Sequence, residues 1–275
     1  MQRPLRLLII GAHPDDADYA AGGTAALYAA AGHTVHMVSL TNGDAGHHQQ
    51  PGPSLARRRG AEAAAAGAVI GAAYQLFDIH DGELMPTLEN RARVIQLIRS
   101  FEPDLVLTHR PNDYHPDHRY TSQLVQDAAY MITVPAVVPG VKHLMKNPVI
   151  MYLPDEFKKP YPFQPAVAVD VGPAIDKIVD MLDCHRSQFY EWLPYNMGVL
   201  DQVPESDRER KAWLAGQVKT RLRKQAERFR PLLLECYGAA HGRAIEYAEA
   251  FEACEYGASL DTRARGDLFP FLPRL

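Results

Sequence analysis

Four consecutive aliphatic residues, Leu7-Leu8-Ile9-Ile10, stop at Gly11 and are followed at once by His13, Asp15 and Asp16. A short apolar run closed by glycine reads as a fully buried strand. A fully buried strand belongs to a parallel sheet covered on both faces. Tyr19 to Gly32, alanine-rich and ended by glycine, predicts the first helix, with Gly22-Gly23 inside it. Strand, turn and helix also open a dinucleotide-binding unit, but no G-x-G-x-x-G follows this strand. An imidazole and two carboxylates stand there instead, the residue types that hold a divalent metal.

The alternation continues. Strands are expected at Thr34–Leu40, Tyr74–Ile79, Asp104–Thr108, Pro148–Leu153 and Ala166–Val171. Helices are expected at Leu55–Ile70 with Ser54 as N-cap, at Leu88–Phe101, and from Gly172-Pro173 to about Gln188. Asp207–Tyr237 predicts one long charge-laced helix and Ala244–Cys254 a shorter one. The fold class is therefore α/β, a Rossmann-like, doubly wound and mostly parallel sheet with a helical C-terminal elaboration. With no linker or repeat visible, a single domain over residues 1–275 is expected. In such sheets ligands sit beyond the carboxyl ends of the strands, where strand order reverses. The loops after Ile10 and Thr108 should face one another there.

The loop after Thr108 reads HRPNDYHPDHRYTS, so a second histidine–carboxylate cluster, HPDH, answers the HPDD of the first loop. A catalytic zinc takes about three protein ligands and keeps a position open. His13 and Asp16 can reach one ion together, a histidine of the second cluster completes the set, and Asp15 is left as a base. His109 and Asp113 lie close enough in sequence to line the same site. Histidines 47 and 48 are expected as exposed loop residues, and Arg57 and Arg58 as a solvated helix face. Phe189, Tyr190, Trp192 and Tyr195 are candidates for a sugar-facing wall or a satellite core.

A formal charge of −4 gives no reason to expect nucleic acid or an anionic membrane as partner. Three scattered cysteines form neither a disulfide framework nor a zinc motif, and suggest buried thiols in a reducing compartment. The apolar run in MQRPLRLLII is too short for a signal segment, and no stretch approaches the ~20 apolar residues of a membrane span. A cytoplasmic location is expected.

HPDD after the first strand, followed by a glycine pair and threonine, resembles the LmbE-like/PIG-L deacetylase family, whose second motif is similar to the HPDH after the fourth strand. TNGDAG, Arg59-x-x-Glu62, Asp81-Gly82, CHRSQ at Cys184–Gln188 and YAEAFE at Tyr247–Glu252 extend the resemblance over most of the chain. It implies that His13, Asp16 and His118 bind Zn2+, or another divalent ion such as Fe2+, with Asp15 as general base. It implies that His115 steadies the developing oxyanion or protonates the leaving amine. Arg59 and Asp44 would contact substrate, and Asp117 would hold His115 or His118 in its tautomer. Asp18 would stand in for a glutamate that family members commonly carry shortly after HPDD. The implied reaction removes an N-acyl group, acetyl first, from an amino sugar such as an N-acetylglucosamine-containing molecule, and a homo-oligomer is implied as well. Two alternatives predict differently: a zinc amidase cleaving a larger sugar-linked thiol conjugate, and a non-catalytic Rossmann-like binding module whose histidines are incidental.

Overall fold

Leu7 and Ile9 pack into one hydrophobic cluster while Leu8 and Ile10 pack into another. The opening strand is thus covered on both faces, as its uninterrupted apolar run requires. The computed structural model describes residues 3–273, so Met1-Gln2 of the N-terminal segment and the last two residues lie outside it. Among the described residues seven strands, β1 (Arg6–Gly11), β2 (Thr34–Ser39), β3 (Ala73–Leu76), β4 (Leu105–Thr108), β5 (Val149–Tyr152), β6 (Val167–Asp170) and β7 (Ala248–Ala253), form one sheet in the order β3-β2-β1-β4-β5-β7-β6. β1 to β5 pair in parallel, and β7 runs antiparallel to both β5 and β6. Strand order reverses between β1 and β4, so the crevice lies where the two histidine loops emerge.

The helices are α1 (Asp16–Ala30), α2 (Pro53–Val69), α3 (Leu88–Phe101), α4 (Pro116–Met131), α5 (Ile175–Cys184), α6 (Leu193–Asn196), α7 (Asp207–Arg228), α8 (Arg230–Tyr237), α9 (Ala239–Ala244) and α10 (Thr262–Leu268). Helices α1, α5 and α7 line one face of the sheet and α3 and α4 the other. No described helix is long and apolar enough to cross a membrane. Cys236 and Cys254 are buried, Cys184 half-buried, and all three are free thiols.

Several local expectations change. α2 begins at Pro53 after Gly52 at φ 83°, so Ser54 is inside the helix rather than its cap. The long helix divides at Phe229, two residues before Pro231, whose missing N–H and ring stop α7 there. The segment around YAEAFE is a strand, β7, despite its helix-forming alanines and glutamates. Its alternate positions serve different partners: Ala250 packs into a helical cluster while Phe251 enters the main core.

α1 is kinked at Ala21, whose φ of −141° and ψ of 17° interrupt the helix. The fully buried Glu249 of β7 sits at this break: Oε1 accepts from the Gly23 N–H at 2.8 Å, and Oε2 accepts from the Thr24 N–H and hydroxyl at 2.8 and 2.7 Å. The carboxylate therefore caps the second half of α1 as a helix N-terminus. Gly23 is required here, because a Cβ on it would lie 2.5 Å from Val171.

Candidate metal centre

The turn after β1 closes when the Asp15 and Asp16 N–H groups donate to the His13 carbonyl at 2.8 and 3.2 Å. This folds Asp16, the first residue of α1, back over the strand end. Its Oδ2 accepts from the Ala12 and His13 N–H groups at 2.9 and 2.7 Å, which fixes the carboxylate and leaves Oδ1 facing His118. Across the crevice, His115 is the N-cap of α4, with Pro116 at the first helical position and His118 in the first turn. Two strand ends and two helix starts thus deliver the side chains with little freedom.

His13 Nδ1 and His118 Nε2 stand 3.1 Å apart, His118 Nε2 is 3.5 Å from Asp16 Oδ1, and His13 Nδ1 is 3.6 Å from Asp16 Oδ2. Donors about 2.0–2.2 Å from a tetrahedral ion lie about 3.3–3.6 Å from one another, so this triangle of side chains, closed at Asp16 through its two oxygens, has about the size of one face of a zinc site. Two other triads overlap it, His13–His115–Asp117 and His109–Asp113–His118. Asp117 is less free for an ion, since its oxygens accept from the Gly82 and Leu84 N–H groups at 2.7 and 3.3 Å. Asp113 Oδ1 accepts from the His115 N–H at 3.2 Å.

Carboxylates surround the triangle. His13 Nε2 lies 3.1 Å from Asp81 and 3.4 Å from Asp117, His118 Nδ1 lies 3.1 Å from Asp113, and His109 Nε2 lies 3.1 Å from Asp16. Burial by itself would lower the pKa of His13, but Asp117, Asp16 and Asp81 outweigh it and raise the value well above the ordinary imidazole range. Burial likewise works to raise Asp16, and His118, His109 and His13 overcome it and hold that carboxyl well below its usual value. Asp15, Asp16, Asp81, Asp113 and Asp117 face Arg59 and the histidines, a balance that calls for a cation. His115 Nδ1 accepts from the Asp117 N–H at 3.2 Å, so the neutral ring keeps its proton on Nε2.

Of the residues singled out in the sequence, His13, Asp16, His115 and His118 converge, and Asp15 stands beside them as N-cap of α1. Arg59 is placed differently from a substrate clamp. Its guanidinium is 2 % exposed, donates to the Gly43 carbonyl at 3.0 Å and to Asp15 Oδ1 at 3.2 Å, and lies 3.7 Å from Asp81. It holds the two carboxylates from behind. Gly43 makes room for it: φ is 69° there, and a Cβ would lie 2.5 Å from Arg59 Nη1.

Asp44 is also turned away from the crevice, because Oδ2 is bonded to His80 Nδ1 at 2.6 Å and Oδ1 accepts from the Asp81 N–H at 3.1 Å. It positions the Asp81 loop. The Asp117 carboxylate faces His13 and the same loop, while its backbone N–H is what fixes the tautomer of His115. Asp18 pairs with His185 of the CHRSQ segment at 2.8 Å, both fully buried, and so braces α1 rather than a candidate ligand. His47 is buried against Glu191 at 2.8 Å, and Arg58 reaches Glu191 at 2.6 Å, so neither is a loose solvated group.

Asp81 was legible only as part of a motif; its place beside His13 depends on a loop pairing that no local pattern records. Carboxylates that orient a ligand histidine typically contribute 10–100-fold to metal affinity. Asp81→Asn is therefore expected to weaken metal binding by about that factor, measured by competition with a chelator, while the fold is kept. An unchanged dissociation constant would separate Asp81 from the centre.

Residues 8–129, which contain β1 through most of α4 and every side chain of the triangle, match the family described as PIG-L, GlcNAc-PI de-N-acetylase. A 4-oxalmesaconate hydratase of Pseudomonas putida is 27% identical over 209 residues, covering 73% of this chain and 81% of that one. A 1D-myo-inositol 2-acetamido-2-deoxy-alpha-D-glucopyranoside deacetylase of Catenulispora acidiphila is 29% identical over 164 residues, covering 49% of this chain and 51% of its own length. The chain thus spans about half of that deacetylase. The solved structure of N,N'-diacetylchitobiose deacetylase from Pyrococcus horikoshii shares the fold, with a TM-score of 0.70 at 21% identity, covering 91% of this chain and 84% of that one. Residues 8–129 thus match the PIG-L (LmbE-like) family, and the relatives named above are enzymes, deacetylases and a hydratase.

Proposed function

We propose that the protein is a zinc-dependent hydrolase that removes an N-acyl group, acetyl first, from an amino sugar or a small conjugate of one. The observation that carries this reading is the triangle of His13 Nδ1, Asp16 and His118 Nε2, with edges of 3.1, 3.5 and 3.6 Å. When bound there, a divalent ion supplies a Lewis acid and a water acidified toward neutral pH. Asp15, steadied by Arg59, takes the proton released as water attacks the amide carbon. His115, with its proton on Nε2, donates to the oxygen on which charge develops or to the departing nitrogen. Asp81, Asp113 and Asp117 keep the two histidines oriented.

A second reading is supported by the relative that matches the larger share of the chain, a hydratase. Water activated by the same residues would then add to a carbon–carbon double bond conjugated to carboxylates. The two chemistries share Asp15 and differ in the electrophile.

The deciding experiment measures metal content in the purified protein and in His118→Ala, then turnover on a panel. About one zinc per chain, largely lost in the variant, is expected. Amine release from N-acetylated sugars supports the deacylase, and release from a sugar-linked thiol conjugate alone moves the substrate to that class. Water addition to an unsaturated dicarboxylate without amine release establishes the hydratase instead. No metal in either protein after soaking with zinc overturns both and leaves a binding module.

A further inference from the structure

Beside the metal centre the chain carries a second feature, open to solvent, that the reaction does not use. A cavity of about 710 Å³ lies between α7 and the carboxyl edge of the sheet, lined among others by Tyr19, Phe189, Trp213, Arg221, Lys224 and Arg228. That volume falls within the range of small-molecule sites. Tyr19 lies in the first turn of α1, three residues past Asp16, and its ring stacks with Phe189 at 6.2 Å between centroids. The opposite wall, Pro154 to Glu156, follows β5 and is tied to the histidine loop by Arg110, whose guanidinium holds Asp155 at 2.8 Å.

The charge of this cavity departs from that of its surroundings. Arg221, Lys224 and Arg228 follow at intervals of three and four residues and share one face of α7. Two other cations of this helix have carboxylates: Lys211 reaches Asp180 at 2.7 Å and Arg223 reaches Glu246 at 3.6 Å. Among the described residues, Arg221, Lys224 and Arg228 make no ion pair within 4 Å. Arg228 donates to the Asp155 carbonyl, and Asp155 itself is committed to Arg110. Glu156 is exposed, and the buried Glu249 is hydrogen-bonded by Gly23 and Thr24, with Arg221 beyond ion-pair distance but near enough to favour its charged form.

A solvated row of cations is the ordinary explanation of such a face, but Arg221 does not fit it. Its guanidinium lies over the Tyr19 ring, 3.9 Å from the centroid, and its Nε and Nη2 are shut off from solvent without an acceptor. Gln225 Oε1, one turn along, is buried without a donor. The third nitrogen, Nη1, is neither bonded nor shut off in this way, and a guanidinium is the group best matched to carboxylate or phosphate oxygens.

We propose that this cavity binds an organic anion, a phosphate or carboxylate carried on a ring, with Arg221 and Lys224 holding the charge and Tyr19, Phe189 and Trp213 the ring. The anion is either a part of the substrate, in which case the inference rests on the deacylase reading, or a separate ligand. The test begins with binding, which needs no turnover. Phenyl phosphate is titrated by calorimetry into the metal-loaded protein, Arg221→Met and Lys224→Met, because either variant on its own keeps the helix and its volume. Affinity is expected to fall about tenfold or more in each, with metal content unchanged. Equal affinity in all three proteins, or binding abolished only by His118→Ala, overturns the site.

Turnover then distinguishes the sources. If the substrate carries the anion, kcat/KM for phosphorylated N-acetylglucosamine falls about tenfold in Arg221→Met, while that for the unphosphorylated sugar is unchanged. If neither rate moves although phenyl phosphate binding has been lost, the cavity takes a separate ligand. Failure of every sugar in the wild type, with phenyl phosphate binding intact, removes the deacylase reading and leaves the anion site standing.

Discussion

Asp15→Asn is expected to keep the metal and lose the reaction, with kcat reduced about 10²–10⁴-fold, the usual contribution of a positioned general base. The substitution is chosen because asparagine preserves the shape of the N-cap and still offers Arg59 an oxygen at the place where Asp15 Oδ1 now accepts at 3.2 Å. Only the capacity to take a proton is removed. His13, Asp16 and His118 do not depend on Asp15 for their mutual placement, since Asp16 is held by the Ala12 and His13 N–H groups. Metal content per chain and kcat on the substrate found by the panel are the two measurements. A variant within a few-fold of wild type would place the base elsewhere, whereas joint loss of metal and activity would make Asp15 a ligand.

Glu249→Ala should destabilise the protein by about 3 kcal/mol, because three donors of Gly23 and Thr24 lose a buried acceptor together. For a chain of this size that lowers the melting temperature by roughly 6–10 °C. Burial raises the pKa of Glu249 above the ordinary glutamate value even though those donors favour its charged form. Ionising it in the folded protein therefore costs more than in the unfolded chain. This contribution is most favourable to the wild type at low pH and declines as pH rises through and above the usual glutamate range. The stability gap between wild type and variant is thus widest at the acid end and narrows toward neutrality. Thermal unfolding of both proteins across that range checks the size and the sign, and a gap that widens with pH would contradict the burial argument.

What the sequence disclosed was set by how local its causes are. Leu88–Phe101 is found with the bounds its periodicity predicts, because Thr87 caps it and its apolar face is regular. The strand ends and the HPDD and HPDH turns were equally legible, since a parallel sheet puts successive strands' carboxyl ends on one edge. β7 was not legible, because alanine and glutamate favour helix, and only the slot between β5 and β6 makes them a strand. The same limit explains Arg59 and Asp44. Each has the residue type expected of a substrate contact, but each is turned inward by a partner distant in sequence: Asp15 for Arg59, His80 and Asp81 for Asp44. Asp18 likewise answers to His185, far along the chain.

The position of β7 also bears on how the chain assembles as it leaves the ribosome. β6 is synthesised some eighty residues before β7 yet joins the sheet only through it, pairing Val167 with Phe251 and Asp170 with Ala248. Until residue 249 emerges, the break in α1 has no carboxylate to close it, although the whole 8–129 segment is already made. The helix that presents Asp16 is therefore completed by one of the last strands to appear, and a nascent chain halted before β7 holds the histidine motifs while the second half of α1 lacks its cap. Capping of that half-helix is a late event on the vectorial route.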